Sequence, residues 1–184
     1  PQRDGGTHLT GMRMAMVGLG RMGANMARRL CRGGVEVVGF NRSRDVVDQL
    51  VREEGMRAAD SLADAVTKLD APRVVWVMLP SGTVTEAHLS ELRDLLSPGD
   101  VVVDGGNANY HDSQRRGAWL AEKGIEFVDA GTSGGIWGLE NGYCLMVGGS
   151  NAAIARLEPA LKALAPGHDF GWAHVGPVGA GHFT

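Results

Sequence analysis

Met14-Ala15-Met16-Val17-Gly18-Leu19-Gly20-Arg21-Met22-Gly23 is the stretch whose reading decides the fold. Four apolar residues make a short strand, and glycines spaced Gly-x-Gly-x-x-Gly follow at once, opening a helix over 22–32. In that context Gly18 permits the tight turn, Gly20 lets the backbone approach a pyrophosphate, and Gly23 allows close packing of helix on strand. The helix N-terminus then offers free N–H groups and a partial positive charge to the phosphates. Gly18, Leu19, Gly20, Arg21, Met22 and Gly23 are therefore candidate dinucleotide-binding residues.

Outward from this motif, short apolar runs alternate with longer amphipathic segments. Strands are expected at 14–17, 35–40, 74–79, 101–104 and 125–129, and helices at 22–32, 43–54, 61–68, 84–96 and 111–123. Near-continuous apolar strands alternating with helices imply a parallel sheet covered on both faces and joined by right-handed crossovers. After Asp129 the rhythm changes to a glycine-rich turn, a segment 137–142, a strand 143–148, a helix 152–165 and a last strand 171–175. No polar linker intervenes, so these strands extend the same sheet. The expected class is α/β, a doubly wound, mostly parallel Rossmann sheet with extra C-terminal strands.

The chain's 184 residues suit a single domain over 12–184, and 1–11, which carry no hydrophobic period, read as a leader or cloning remnant with a natural start at Met12. A net charge of −3 gives no bulk reason to bind nucleic acid or anionic membrane, and no apolar run reaches the roughly 20 residues that span a bilayer. A cytoplasmic location is the expectation. Cys31 and Cys144 lie far apart and form no Cys-x-x-Cys pair, so neither a disulfide framework nor a metal site is indicated.

The second strand leads into Asn41-Arg42-Ser43, where an acidic residue would accept hydrogen bonds from the ribose hydroxyls of NAD. Asn41 does not repel a 2′-phosphate, Arg42 can pair with it and cover the adenine, and Ser43 can donate to it. This favours NADP, with NAD possible. Asn41 and Ser43 equally suit a turn and helix cap with Arg42 in solvent, and the two readings are compatible. Met78-Leu79-Pro80 follows a strand at the carboxyl edge of the sheet, where ligands of open α/β folds bind, and is placed near the nicotinamide ribose.

Gly18-Leu19-Gly20-Arg21-Met22-Gly23-Ala24-Asn25-Met26-Ala27-Arg28-Arg29-Leu30 resembles the opening signature of the β-hydroxyacid dehydrogenase superfamily. Asp104-Gly105-Gly106-Asn107-Ala108-Asn109-Tyr110 is similar to a segment of the decarboxylating 6-phosphogluconate dehydrogenases, in which the asparagine lies between nicotinamide and substrate. That resemblance makes Asn107 a site residue. Gly131-Thr132-Ser133-Gly134-Gly135 resembles the family's substrate loop, so Ser133, Gly134 and Gly135 inherit the task of holding a carboxylate. Clustered N–H groups in such a turn form an anion-binding concavity, although a purely structural turn remains an alternative.

The longer run from Gly131 to Gly149 is similar to the short form of the family, with Ile136 and Trp137 where long forms carry acidic residues; Trp137 is expected to pack or to wall the site. Gly179-Ala180-Gly181-His182-Phe183-Thr184 resembles the segment that precedes the family's general-base lysine. The resemblance implies oxidation and decarboxylation of 6-phosphogluconate by a homo-oligomeric complete enzyme, with this chain as its cofactor-binding part, lacking the helical second domain and inactive alone. Two alternatives stay open: a dehydrogenase of a short 3-hydroxy acid, and a non-catalytic dinucleotide-binding module.

Overall fold

The computed structural model describes residues 10–167 and 169–184. Its core begins with β1 (Arg13–Val17), whose Met14 and Met16 are buried on one face and Ala15 and Val17 on the other. A strand apolar on both faces must be covered on both, and helices supply the cover. α1 (Arg21–Arg32), α2 (Arg44–Glu54) and α7 (Asn151–Leu164) bury Met26, Leu30, Val47, Leu157 and Leu161 on the methionine side. α3 (Leu62–Thr67), α4 (Thr83–Leu95) and α5 (Tyr110–Ala121) bury Leu62, Leu89, Leu92 and Leu120 on the other.

Between the helices run β2 (Glu36–Phe40), β3 (Arg57–Ala58), β4 (Val74–Val77), β5 (Val101–Asp104), β6 (Glu126–Ser133), β7 (Cys144–Gly148) and β8 (Trp172–Gly176). They form one eight-stranded sheet ordered β3-β2-β1-β4-β5-β6-β7-β8. The chain leaves β1 toward β2 on one side and later returns to β4 on the other. That reversal opens a crevice beyond the carboxyl ends of β1 and β4, where ligands of doubly wound sheets bind.

The fold agrees with the expected doubly wound sheet and its C-terminal strands, with differences in detail. β3 was not expected; it is two residues paired in parallel with Val38 and Gly39, too short for any periodicity to register. β6 does not stop at Asp129 but runs through Gly131 to Ser133, because β7 pairs antiparallel with it from Asp129↔Gly148 to Ser133↔Cys144. The segment 137–142 closes as a 3-10 turn (Gly135–Trp137) followed by α6 (Gly138–Asn141). Of the expected leader, 1–9 lie outside the described residues, and Thr10 is tied to the fold through Thr10 N–H donating to Gly34 O at 3.1 Å.

Candidate active site

The glycine turn has an atomic reason for each glycine. Gly18 has φ +93°, and a Cβ there would strike the Met78 carbonyl oxygen at the exit of β4. A Cβ on Gly23 would strike the Gly18 carbonyl oxygen, so helix and turn close only without side chains. Gly20 differs: its φ is −63° and no atom of the described residues lies within 4 Å of where its Cβ would be. Nothing among the described residues needs a glycine there, whereas an approaching phosphate would. α1 carries no side-chain cap and its first turn has no acidic residue. Its leading N–H groups are thus free to receive an anion.

Asn41 pins this turn to the end of β2. Its Oδ1 accepts from Leu19 N–H at 2.9 Å, and its Nδ2 donates to Ser43 O at 3.0 Å. The turn reading of Asn41 is therefore realised, while Ser43 stands at the N-cap of α2 without a side-chain capping bond. Arg42 is exposed and makes no hydrogen bond or ion pair among the described residues. Its neighbour Arg44, by contrast, is engaged by Asp48 and Asp60. Arg42 borders a cleft of about 630 Å³ with Gly18, Phe40, Asn41, Leu79 and Pro80.

Leu79 also borders a second hollow, of about 320 Å³, lined by Gly20, Arg21, Met22, Gly23, Met78 and Asn107. Asn107 and Thr132 line this hollow and also a third cavity of about 380 Å³, shared with Ser133, Cys144 and His182. Cleft, hollow and cavity thus share walls along the carboxyl edge of the sheet. Asn107 is exposed at the junction and its amide has no hydrogen bond among the described residues. A side-chain amide can donate and accept there.

Of the expected carboxylate loop, Ser133 lines the cavity but Gly134 and Gly135 do not. Gly134 is glycine for packing, since a Cβ would meet the Tyr143 ring at 2.7 Å, while Gly135 has φ +53° with open space around it. Trp137, expected to pack or to wall the site, does neither: it is 61% exposed and lines none of the three cavities.

Beneath the third cavity lies a buried polar network that the residue patterns left unread. The Asp129 carboxylate accepts from the backbone N–H of Gly179 and of His182, each at 2.7 Å, and so fastens α8 (Ala180–Phe183) to β6. The His182 Nδ1 lies 2.6 Å from Ser113 Oγ and 3.9 Å from Asp129 Oδ2. Asp104 accepts from Gly106 N–H at 3.1 Å and faces Arg116 at 3.4 Å, both side chains being 2% exposed. Burial pushes the Asp104 carboxyl above its usual range, against the opposing pull of His182, the Gly106 N–H and Arg116. Arg116 also meets Glu86 at 2.8 Å, and Glu86 is held below its usual range first by the Arg115 hydrogen bond and then by Arg116.

One signal could have found this network: Asp104 and Asp129 each close an apolar run, and a carboxylate there must be buried with partners. The Ser113, His182 and Asp129 set is no hydrolytic triad. Serine and aspartate share one imidazole nitrogen, and Ser113 is fully buried, out of reach of any substrate.

Comparison with known proteins follows the same outline. Residues 13–176 match the family model described as the NAD binding domain of 6-phosphogluconate dehydrogenase. The NAD(+)-dependent, decarboxylating 6-phosphogluconate dehydrogenase of Haloferax volcanii is 40% identical over 173 residues, covering 94% of this chain and 56% of that protein. A Mycobacterium tuberculosis 3-hydroxyisobutyrate dehydrogenase structure superposes with a TM-score of 0.83 at 28% identity, covering 94% of this chain and 57% of that one. The 6-phosphogluconate dehydrogenase of Plasmodium falciparum shares the fold with a TM-score of 0.87 at 24% identity, covering 93% of this chain and 38% of that one. The chain spans 57% and 56% of the lengths of two curated relatives, from Bacillus subtilis and Haloferax volcanii.

Proposed function

We propose, from the premise that this chain belongs to the family of NAD-binding domains of 6-phosphogluconate dehydrogenase, that the complete protein oxidises and decarboxylates 6-phosphogluconate to ribulose 5-phosphate. The observation that carries the proposal is the shared wall of Asn107 and Thr132 between the hollow at the glycine turn and the cavity beside Ser133. A carbon held at that wall meets cofactor on one side and carboxylate anchor on the other. Such positioning is what a protein contributes when a cofactor carries the redox step.

The glycine turn and the N-terminus of α1 fit a pyrophosphate, because Gly20 leaves space that no atom of the described residues fills. A bound nicotinamide supplies the hydride acceptor. Gly18 to Gly23, Met78, Leu79 and Pro80 would hold the dinucleotide, with Asn41 keeping the turn in register. The end of β2 carries no carboxylate, and Arg42 is unengaged, which supports NADP as the preferred form with NAD accepted.

Ser133 would hold the substrate carboxylate, and Asn107 would orient the 3-hydroxyl. The family resemblance assigns the base for that hydroxyl's proton to a lysine beyond Thr184. The 3-keto group so formed accepts the electron pair of the breaking C1–C2 bond as carbon dioxide leaves.

The test is reduction of NADP and of NAD by the complete protein with 6-phosphogluconate, with carbon dioxide trapped and counted. Carbon dioxide released in step with reduction supports the proposal, and the ratio of the two cofactors tests Arg42. A second reading, oxidation of a short 3-hydroxy acid, is favoured by the likeness to 3-hydroxyisobutyrate dehydrogenase. Turnover of hydroxyisobutyrate without carbon dioxide would establish it instead. Dinucleotide binding with no turnover of either acid would leave a binding module.

A further inference from the structure

Two residues that line the third cavity each carry a buried polar atom without a partner among the described residues: His182 Nε2 and Thr132 Oγ1. The His182 side chain is 3% exposed, so its free nitrogen is an orphan in a buried place. It is brought there by backbone packing. Gly181 lets α8 lie directly on β6 and β7, since a Cβ at that position would strike the Asp129 and Met146 carbonyl oxygens.

The network beneath His182 decides which proton it carries. Ser113 Oγ lies 3.5 Å from the Asn109 carbonyl oxygen, which can only accept, so its single hydroxyl proton has an outlet there. Ser113 is then free to accept from a protonated Nδ1, and the Asp129 carboxylate at 3.9 Å favours a proton on that same nitrogen. A proton on Nδ1 leaves Nε2 as a lone-pair acceptor. Thr132 Oγ1 adds a group that donates or accepts. An acceptor beside a hydroxyl suits one ligand group best, another hydroxyl, which has one proton to give and lone pairs to receive.

The place of that hydroxyl along a substrate follows from the order of the wall, and here the argument rests on the proposed reading of the cavity as a 3-hydroxy acid site. The carboxylate belongs at Ser133 and the carbon to be oxidised at the Asn107 and Thr132 junction, so the carbon between them is the one α to the carboxylate. We infer that His182, assisted by Thr132, is a specificity-determining residue that reads a hydroxyl on the α carbon. The site takes 2,3-dihydroxy acids and discriminates against 3-hydroxy acids with hydrogen or methyl there. An α carbon without a hydroxyl leaves both orphans buried and unpaired, worth about 10- to 100-fold in kcat/KM.

The experiment compares two substrate pairs on the complete protein: 6-phosphogluconate against its 2-deoxy analogue, and 2,3-dihydroxypropanoate against 3-hydroxypropanoate. Each is run on the parent, His182→Ala and Thr132→Val, with dinucleotide affinity as the check that the variant is folded. The parent should prefer the α-hydroxylated member of each pair by about 10-fold or more, and the preference should shrink toward unity in His182→Ala. A merely structural histidine would slow both members equally and leave their ratio intact. Thr132→Val, nearly isosteric, carries the test alone should His182→Ala fail to fold.

Oxidation of 6-phosphogluconate with an unchanged ratio in the variants, or no α-hydroxyl preference in the parent, overturns the inference and leaves the proposed function standing. No oxidation of 6-phosphogluconate, together with an α-hydroxyl preference between the smaller acids that the variants lose, does the reverse. Failure to oxidise any of the four acids overturns both.

Discussion

Replacing Gly20 by alanine separates what the fold needs from what the cofactor needs. The residue sits at φ −63° and ψ −174°, which alanine adopts freely, and no atom of the described residues lies within 4 Å of the new methyl group. The cost to folding is then confined to the poorer standing of alanine as a helix N-cap, below about 1 kcal/mol. The methyl does project where a pyrophosphate would meet the N–H groups at the start of α1. Losing one hydrogen bond between a backbone N–H and a charged phosphate costs about 1.5 to 3 kcal/mol, or about 10- to 150-fold in Kd. The assay is a titration of NADPH fluorescence alongside urea unfolding of the same preparations. Weakened binding with an almost unchanged urea midpoint is expected. Unchanged affinity in a variant of unchanged stability would refute the placement of the phosphates at this turn. Gly23→Ala serves as the contrast, because its methyl strikes the Gly18 carbonyl oxygen and must cost stability as well.

Four other outcomes follow from the same geometry. Arg42→Ala should lower affinity for NADPH by about 10-fold while leaving NADH within about twofold, since only a 2′-phosphate engages the guanidinium; equal losses for both would count against the NADP reading. Asp129→Ala leaves two buried N–H groups without their carboxylate and should cost about 3 to 5 kcal/mol in urea unfolding, or else release α8 locally, seen as faster hydrogen exchange at Gly179 and His182. Burial, seconded by Glu54, pushes the Cys31 thiol up to about 11, whereas Cys144 is exposed, so iodoacetamide at about pH 8 should label Cys144 and spare Cys31 by peptide mass analysis; equal labelling would contradict the packing of α1. Glu86 has a folded pKa below its ordinary 4.5, so its contribution to stability is present above that value and is lost as pH falls through the lowered one. Glu86→Gln should therefore flatten the urea midpoint against pH below about pH 4.5, and a curve as steep as the parent's would remove Glu86 from the acid transition.

How much of this was legible beforehand depended on how far apart the partners stand in the chain. The strand, glycine turn and helix from Arg13 to Arg32 are local: each residue's task follows from its neighbours' types and spacing, and the structure supplied only the atoms that Gly18 and Gly23 would strike. The alternation of apolar strands and helices determined the doubly wound sheet for the same reason, since both faces of every central strand need cover. Asn107 and Ser133 were also marked by their motifs, and they line one cavity.

Other features needed the folded chain. Gly131-Thr132-Ser133 looks like a turn in isolation and becomes strand only because β7 returns antiparallel beside it. Asn41 could not be seen to spend its amide on Leu19, 22 positions away. The network under the cavity joins Ser113 to His182 across 69 positions and His182 to Asp129 across 53. Apolar pattern says that an acid such as Asp129 is buried, but which donors satisfy it is a matter of distance and direction. The architecture and the cofactor turn can be read from residue order alone, because short-range sterics and hydrophobic periodicity dictate both. Only the folded chain settles which groups pair and leaves polar atoms of His182 and Thr132 unpaired beside the cavity, because such bonds are short, directional and blind to separation along the chain.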